Sequence, residues 1–268
     1  DRYIPDNRKW EEMIEKIRKI DKNKKVKIAI VGKYIKLEDS YISVIESIKH
    51  AGFANDVETE IKLIDAEKIT KDTADEMLKE FKGIIVPGGF GNRGIEGKIE
   101  TIKYARENKI PFLGICLGMQ MAVVEYARDV LGLKDANSQE FDEKSKNQVI
   151  HIMENQKSVN KKGGTMRLGS YPCVIKEGTL AEKVYGTTEI AERHRHRFEY
   201  NNDYKERLEN AGLICSGTSP DGELVEIVEL SQKEHPFFIA GQFHPELKSR
   251  PNRPAPLFVE LVRVAKNR

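Results

Sequence analysis

Residues 6–20 set Trp10, Met13, Ile14, Ile17 and Ile20 at helical spacing among charged neighbours, which predicts an amphipathic helix with one stripe to bury. The lysine-rich run 21–25 then reads as a linker. From Val26 onward, short β-branched runs alternate with helical ones. Strands are predicted over 26–31, 60–64, 84–86 and 111–115, and helices near 40–50, 73–81, 95–108 and 117–131. Such alternation implies βαβ units on a parallel sheet. After Gly132 it gives way to a polar loop and then to strand-like runs at 149–153, 173–175, 189–200, 213–216, 224–230 and 237–243, with a last helix over 255–265. The pattern predicts an α/β fold: a central, mostly parallel sheet flanked by helices, with a strand-rich second half. Residues 1–24 read as a linker carrying the amphipathic helix, and 25–268 as one domain. In open α/β sheets ligands bind beyond the carboxyl ends of the strands, so the loops after Val86 and Ile115 are where chemistry is expected.

Composition narrows the class. Among 268 residues, 45 Lys and Arg against 43 Asp and Glu leave a formal charge of +2, too balanced for a nucleic-acid binder. Hydrophobic residues at 39% suit a packed globular chain. No apolar run approaches the roughly 18 residues of a membrane helix; the best, 113–124, is interrupted by Gly118 and Gln120. The cysteines Cys116, Cys173 and Cys215 are odd in number and far apart, which suits free thiols in a reducing, cytoplasmic setting. A start at Asp1 without a signal sequence suggests a portion of a longer chain.

The loop after Ile115 carries Gly114-Ile115-Cys116-Leu117-Gly118, the spacing of a nucleophile elbow with sulfur in place of oxygen. Small neighbours permit the sharp strand-to-helix turn, and the helix N-terminus favours a thiolate. Cys173 and Cys215 lack this setting and read as small buried hydrophobes. A base and its orienting partner are offered by Phe243-His244-Pro245-Glu246 at the end of a predicted strand. Pro87-Gly88-Gly89-Phe90-Gly91 follows another strand, and the amides of Gly89 and Leu117 form a candidate oxyanion pair. Gly89 to Gly94 also spells G-x-G-x-x-G, but the next strand ends in Cys116 rather than an acidic residue. A phosphate-binding loop fails as well, because Asn92 and Ile99 occupy two of its defining positions. His194 and His196 share a strand face without further ligands at metal spacing, so an exposed face, with an anion contact for a neighbouring arginine, is expected over a metal site.

Together these features resemble the triad-type (class I) glutamine amidotransferases, with Gly-Gly, Cys and His-x-Glu in that family's order from about residue 26 to the C-terminus. Finer segments resemble the glutaminase domains of the CTP synthases: PGGFGNRGIEG at 87–97, GICLGMQ at 114–120, ANSQEF at 136–141, GTMRL at 164–168 and ERHRHRFEYN at 192–201. The resemblance implies a flavodoxin-like amidotransferase fold. It also implies that Cys116 attacks the side-chain amide of L-glutamine, His244 moves the proton and Glu246 orients it, giving ammonia and a glutamyl thioester. Gly89 and Leu117 would hold the oxyanion, with Phe90 beside them. Gln120 and Glu140 would contact the amino-acid end of the substrate, Arg197 would pair with its α-carboxylate, and Arg93 would lie in a lid near which a GTP effector acts.

The same resemblance implies no cofactor and no metal for glutamine hydrolysis. ATP, Mg²⁺, UTP and GTP belong to a full-length enzyme whose N-terminal synthetase domain aminates UTP to CTP and which assembles as a homotetramer. The stripe Trp10, Met13, Ile14 and Ile17 would pack on that domain or on this one. A stand-alone class I amidotransferase subunit, or a γ-glutamyl or peptide hydrolase of the same fold, is the alternative reading. A regulatory module with an incidental thiol is the non-catalytic one.

Overall fold

The computed structural model describes residues 6–33, 38–153 and 166–268. A first helix, α1 (Arg8–Arg18), precedes the alternating half: β1 (Lys25–Gly32), α2 (Ile42–Ala54), β2 (Glu58–Asp65), α3 (Ala74–Leu78), β3 (Gly83–Val86), α4 (Ile95–Glu107), β4 (Phe112–Ile115) and α5 (Leu117–Asp129). The second half adds β5 (Asn137–Ser138), β6 (Gln148–Ile152), β7 (Arg167–Ile175), α6 (Leu180–Tyr185), β8 (Glu189–His196), β9 (Phe198–Tyr200), α7 (Lys205–Asn210), β10 (Leu213–Thr218), β11 (Val225–Leu230), β12 (Phe238–Gly241) and α8 (Pro256–Lys266).

Among the described residues the main sheet has nine strands in the order β2-β1-β3-β4-β12-β11-β10-β7-β8, and β5-β6-β9 form a separate small sheet. Pairing is parallel from β2 through β12 and antiparallel beyond it. The parallel strands β3 and β4 are buried throughout, as expected where helices cover both faces of a sheet. On β3 the alternation sends Ile84 and Val86 into one apolar layer with Ile99, Ile102 and Val123 of α4 and α5. Ile85 enters the other layer with Val44 and Ile48 of α2 and Leu261 of α8.

Several expectations change. The strand predicted over 189–200 is broken at Arg197, so that β8 belongs to the main sheet and β9 to the small one. The helix expected over 73–81 shortens to α3, and α6 and α7 arise where none was predicted. Strand β7 begins at Arg167, well before the predicted 173. Helix α1 buries none of its residues: Trp10 and Ile14 are 46% and 43% exposed, while Met13 and Ile17 face a shallow groove beside Phe53, Pro251 and Pro254. Gly164 and Thr165 of the GTMRL segment, and residues 1–5, lie outside the described residues.

Candidate active site

At the junction of β4 and α5, Cys116 has φ +53° and ψ −104°, a conformation that L-residues adopt only under constraint. The constraint comes from its flanking glycines. A Cβ on Gly114 would lie 2.8 Å from the Ala240 Cβ and 2.9 Å from the Gly118 backbone, and one on Gly118 would lie 2.0 Å from the Val86 carbonyl oxygen. Helix α5 therefore starts hard against β3, and the chain can reach it from β4 only through a sharp turn at Cys116.

Strand β12 delivers the candidate base. It pairs with β4 from Phe112↔Phe238 to Ile115↔Gly241, and the Cys116 N–H donates to the Gly241 carbonyl at 2.8 Å. Carried one step further, this register brings Gln242 beside Cys116, and His244 follows on the same face. The His244 amide donates to the Arg193 carbonyl at 2.8 Å, and its Nδ1 lies 2.7 Å from Oε1 of Glu246. Pro245 opens the 3-10 turn over Pro245–Leu247 that returns Glu246 to the ring. Burial alone would push the imidazole down. Cys116 and Glu246 outweigh it and hold His244 well above the usual histidine range. Because Nδ1 is occupied by Glu246, Nε2 is the ring nitrogen left for the sulfur. That atom is buried and has no other partner among the described residues. Gly88 closes the third side, where a Cβ would lie 2.8 Å from His244 Cε1 and 3.5 Å from the Cys116 Cβ.

A cavity of about 590 Å³ opens on the sulfur, with Gly89, Phe90, Leu117, Gln120, Glu140 and Arg197 in its wall. No turn, loop or cap hydrogen bond among the described residues engages the Gly89 or Leu117 amide. Arg197 sits at the joint between β8 and β9, and its guanidinium makes no hydrogen bond or ion pair among the described residues. Glu140 accepts from the Gly91 amide at 3.3 Å. Gln120 directs its Nε2 inward, to the Phe198 carbonyl at 3.0 Å and to Oε1 of Gln242 at 3.2 Å, so only its Oε1 remains for a ligand. A second cavity of about 400 Å³ reaches Cys116 from the side of His244, Glu246, Tyr41 and Gly88. Phe90 and Arg195 line both cavities and touch each other, the guanidinium 5.4 Å from the ring centroid. Arg93 is not brought to either cavity: it is exposed, donates to the Lys33 carbonyl at 3.0 Å and pairs with Glu67 at 3.2 Å.

His194 and His196 are not on an exposed face. Strand β8 alternates, burying Glu192, His194 and His196 and turning Arg193 and Arg195 outward. The two rings are 3.1 Å apart between Nδ1 of His194 and Nε2 of His196, and Arg167 from β7 pairs with Glu226 of β11 at 2.5 Å beside them. Burial, reinforced by Arg167, pushes His194 down to about 2 and His196 to about 3, so both stay neutral. No cluster of metal-ligating side chains occurs among the described residues. Cys173 and Cys215 are buried, and burial raises them to about 12 and about 11. Sequence reasoning also passed over Lys98, buried in α4 with its Nζ 3.8 Å from where a Gly89 Cβ would stand, and Gln242. The signal for Gln242 was present: it lies two residues before His244, on the same strand face.

Comparison with known proteins agrees with this geometry. The family model for glutamine amidotransferase class-I matches residues 36–264. CTP synthase of Geobacillus kaustophilus is 54% identical over 260 residues, and that of Clostridium acetobutylicum 56% over 260 residues, each alignment covering 97% of this chain and 48% of the relative. The chain thus spans about half the length of the curated relatives it matches. A solved structure of the glutaminase domain of Trypanosoma brucei CTPS with bound acivicin superposes with a TM-score of 0.83 at 41% identity, covering 91% of this chain and 94% of that one. With a cysteine elbow, an oriented histidine and these relatives in agreement, the chain belongs to the class I glutamine amidotransferases, among the glutaminase domains of the CTP synthase kind.

Proposed function

We propose that Cys116, His244 and Glu246 hydrolyse L-glutamine to glutamate and ammonia. The observation that carries this is the convergence of a strained cysteine and a glutamate-oriented histidine on neighbouring parallel strands, at the mouth of a cavity that also holds an arginine whose guanidinium has no partner among the described residues. The Arg197 guanidinium suits the α-carboxylate of the substrate, and Glu140 with Oε1 of Gln120 suits its α-ammonium. The thiolate of Cys116 adds to the side-chain amide carbon, and the amides of Gly89 and Leu117 receive the developing oxyanion. His244 donates the Nε2 proton to the departing nitrogen, so ammonia leaves and a glutamyl thioester remains. It then takes a proton from the attacking water, and glutamate departs as the thiolate returns. No metal or cofactor takes part in these steps.

The CTP synthase relatives are about twice as long as this chain. Delivery of the ammonia to a synthetase domain that uses ATP, Mg²⁺ and UTP, GTP activation, a homotetrameric full-length enzyme and a cytoplasmic setting belong to the same proposal. The last is supported by three free cysteines and by the lack, among the described residues, of any helix long and apolar enough to cross a membrane. The test is glutamate and ammonia release from L-glutamine by the chain and by Cys116→Ala, with γ-glutamyl peptides as competing substrates and acivicin as a covalent probe. Turnover and acivicin labelling that both disappear in Cys116→Ala are expected. Glutamine turnover that survives Cys116→Ala, or peptide cleavage without glutamine turnover, overturns the assignment.

A further inference from the structure

Among the described residues, the Cys116 sulfur has two hydrogen-bonding neighbours of opposite preference besides His244. The Arg195 carbonyl lies 3.7 Å away and can only accept, so it favours the neutral S–H. Nε2 of Gln242 lies 3.7 Å away and can only donate, so it favours the thiolate. Sulfur is large and these separations suit its hydrogen bonds.

An amide can in principle turn either end to a neighbour, but here the surroundings decide. The Phe198 carbonyl accepts only, and it takes one N–H of Gln120 at 3.0 Å, which fixes the Nε2 end of that side chain. The second N–H of the same nitrogen meets Gln242 at 3.2 Å, so Gln242 must present its oxygen there and its NH₂ to the sulfur. Gln242 is 1% exposed, which keeps water from replacing it, and its own amide N–H is bound to the Glu226 carbonyl at 2.8 Å.

We propose that Gln242 is a positioning residue for the nucleophile: its amide, oriented by Gln120, holds the Cys116 sulfur in the elbow and favours its thiolate over the carbonyl-bound thiol. The proposal rests on the reading of Cys116 as nucleophile. A preoriented neutral donor in a dry site acts without reorganising, and it acts at every pH because it does not titrate. The charged and titratable groups that face the sulfur are His244 backed by Glu246 from the end of β12, Arg195 and His196 from β8, Lys98 beneath the Gly89 loop from α4, and Glu140 and Arg197 across the cavity. The substitutions below leave all of them in place.

The experiment is the pH dependence of iodoacetamide alkylation at Cys116, followed by peptide mass, in the parent chain, Gln242→Met and Gln120→Met, each checked for cooperative thermal unfolding. Methionine keeps the unbranched volume and removes the donor. In Gln242→Met the acid limb of the profile should move up by about one pH unit, making alkylation about tenfold slower at any pH on that limb, with the high-pH plateau unchanged. Gln120→Met, which leaves Gln242 in place but unorients it, should move the limb the same way by less; if Gln242→Met does not fold, this variant decides. Superimposable profiles, or a lowered plateau with an unmoved limb, overturn the proposal. The shift is read without glutamine. A chain that shows it but releases no glutamate overturns the glutaminase reading alone, and one that hydrolyses glutamine with unshifted profiles overturns only the role of Gln242.

Discussion

Replacing Gly88 with alanine should disable the chemistry and leave the fold standing. Gly88 is not among the residues at positive φ, so its backbone accepts an L side chain. The added methyl would stand 2.8 Å from His244 Cε1, where ordinary contact begins at 3.4 Å, leaving a shortfall of about 0.6 Å. The His244 imidazole is tied at Nδ1 to Glu246 at 2.7 Å, and its backbone N–H donates to the Arg193 carbonyl at 2.8 Å. The gap that opens is therefore the one between Nε2 and the sulfur. Displacement of this size typically slows a positioned proton transfer by about 10- to 100-fold, or about 1.4 to 2.7 kcal/mol of barrier. The methyl enters a cleft wall rather than the core, so unfolding free energy should change by no more than about 1 kcal/mol. The assay pairs steady-state glutamate release with thermal unfolding, and Gly118→Ala is the contrast. There the Cβ would stand 2.0 Å from the Val86 carbonyl, a backbone atom that cannot yield, so the fold itself should be lost. A Gly88→Ala protein with kcat within about twofold of the parent, or a Gly118→Ala protein that melts like it, refutes the steric reasoning.

In Glu246→Gln, His244 loses one of the two neighbours that hold its proton against burial, so the alkaline limb of kcat/KM should move to lower pH. In the parent, this raised value means that the pairing contributes stability fully below the usual histidine pKa and loses it as pH climbs through the folded value; pH-dependent melts of both proteins check it. Burial, with Lys33 nearby, pushes Lys98 down to about 8, so the unfolded chain binds more protons above that pH and stability should rise from pH 8 toward 10. Lys98→Met should consequently be more stable than the parent by up to about 3 kcal/mol at pH 7 in urea titrations, the difference shrinking as pH rises. A variant less stable than the parent at pH 7 would contradict this. Native protein at pH 7.5 should take iodoacetamide at Cys116 alone, because burial raises Cys173 to about 12 and Cys215 to about 11; intact mass and peptide mapping before and after denaturation count the adducts.

The parallel half was legible in the chain because strands buried on both faces are short β-branched runs, and 84–86 and 111–115 could be little else. The candidate catalytic residues stood out for a related reason: Cys116 follows a strand between two nearby glycines, and His244 and Glu246 flank Pro245, where turn chemistry marks the sequence. The break at Arg197 left no mark, since β8 and β9 are separated by one residue of ordinary strand character, and only pairing partners far along the chain decide which sheet each joins. His194 and His196 were misjudged because period-2 alternation says which residues share a face and not which face is buried. Burial was settled by Arg167 and Glu226, which sequence reading had no means to bring together. Gln120 was foreseen as a substrate contact, yet both its N–H groups are spent on Phe198 and Gln242, a commitment visible only once β9 and β12 are in place.

The insertion of β12 between β4 and β11 gives the order of synthesis a chemical meaning. A ribosome releases the elbow cysteine well before the candidate base His244 and its partner Glu246, which follow far along the sequence. Until β12 docks, β4 is an open edge and Cys116 has neither His244 nor Gln242 beside it. On the proposed roles, a growing chain, or one cut before β12, should be inert toward substrate, with the sulfur becoming reactive when β12 closes the sheet.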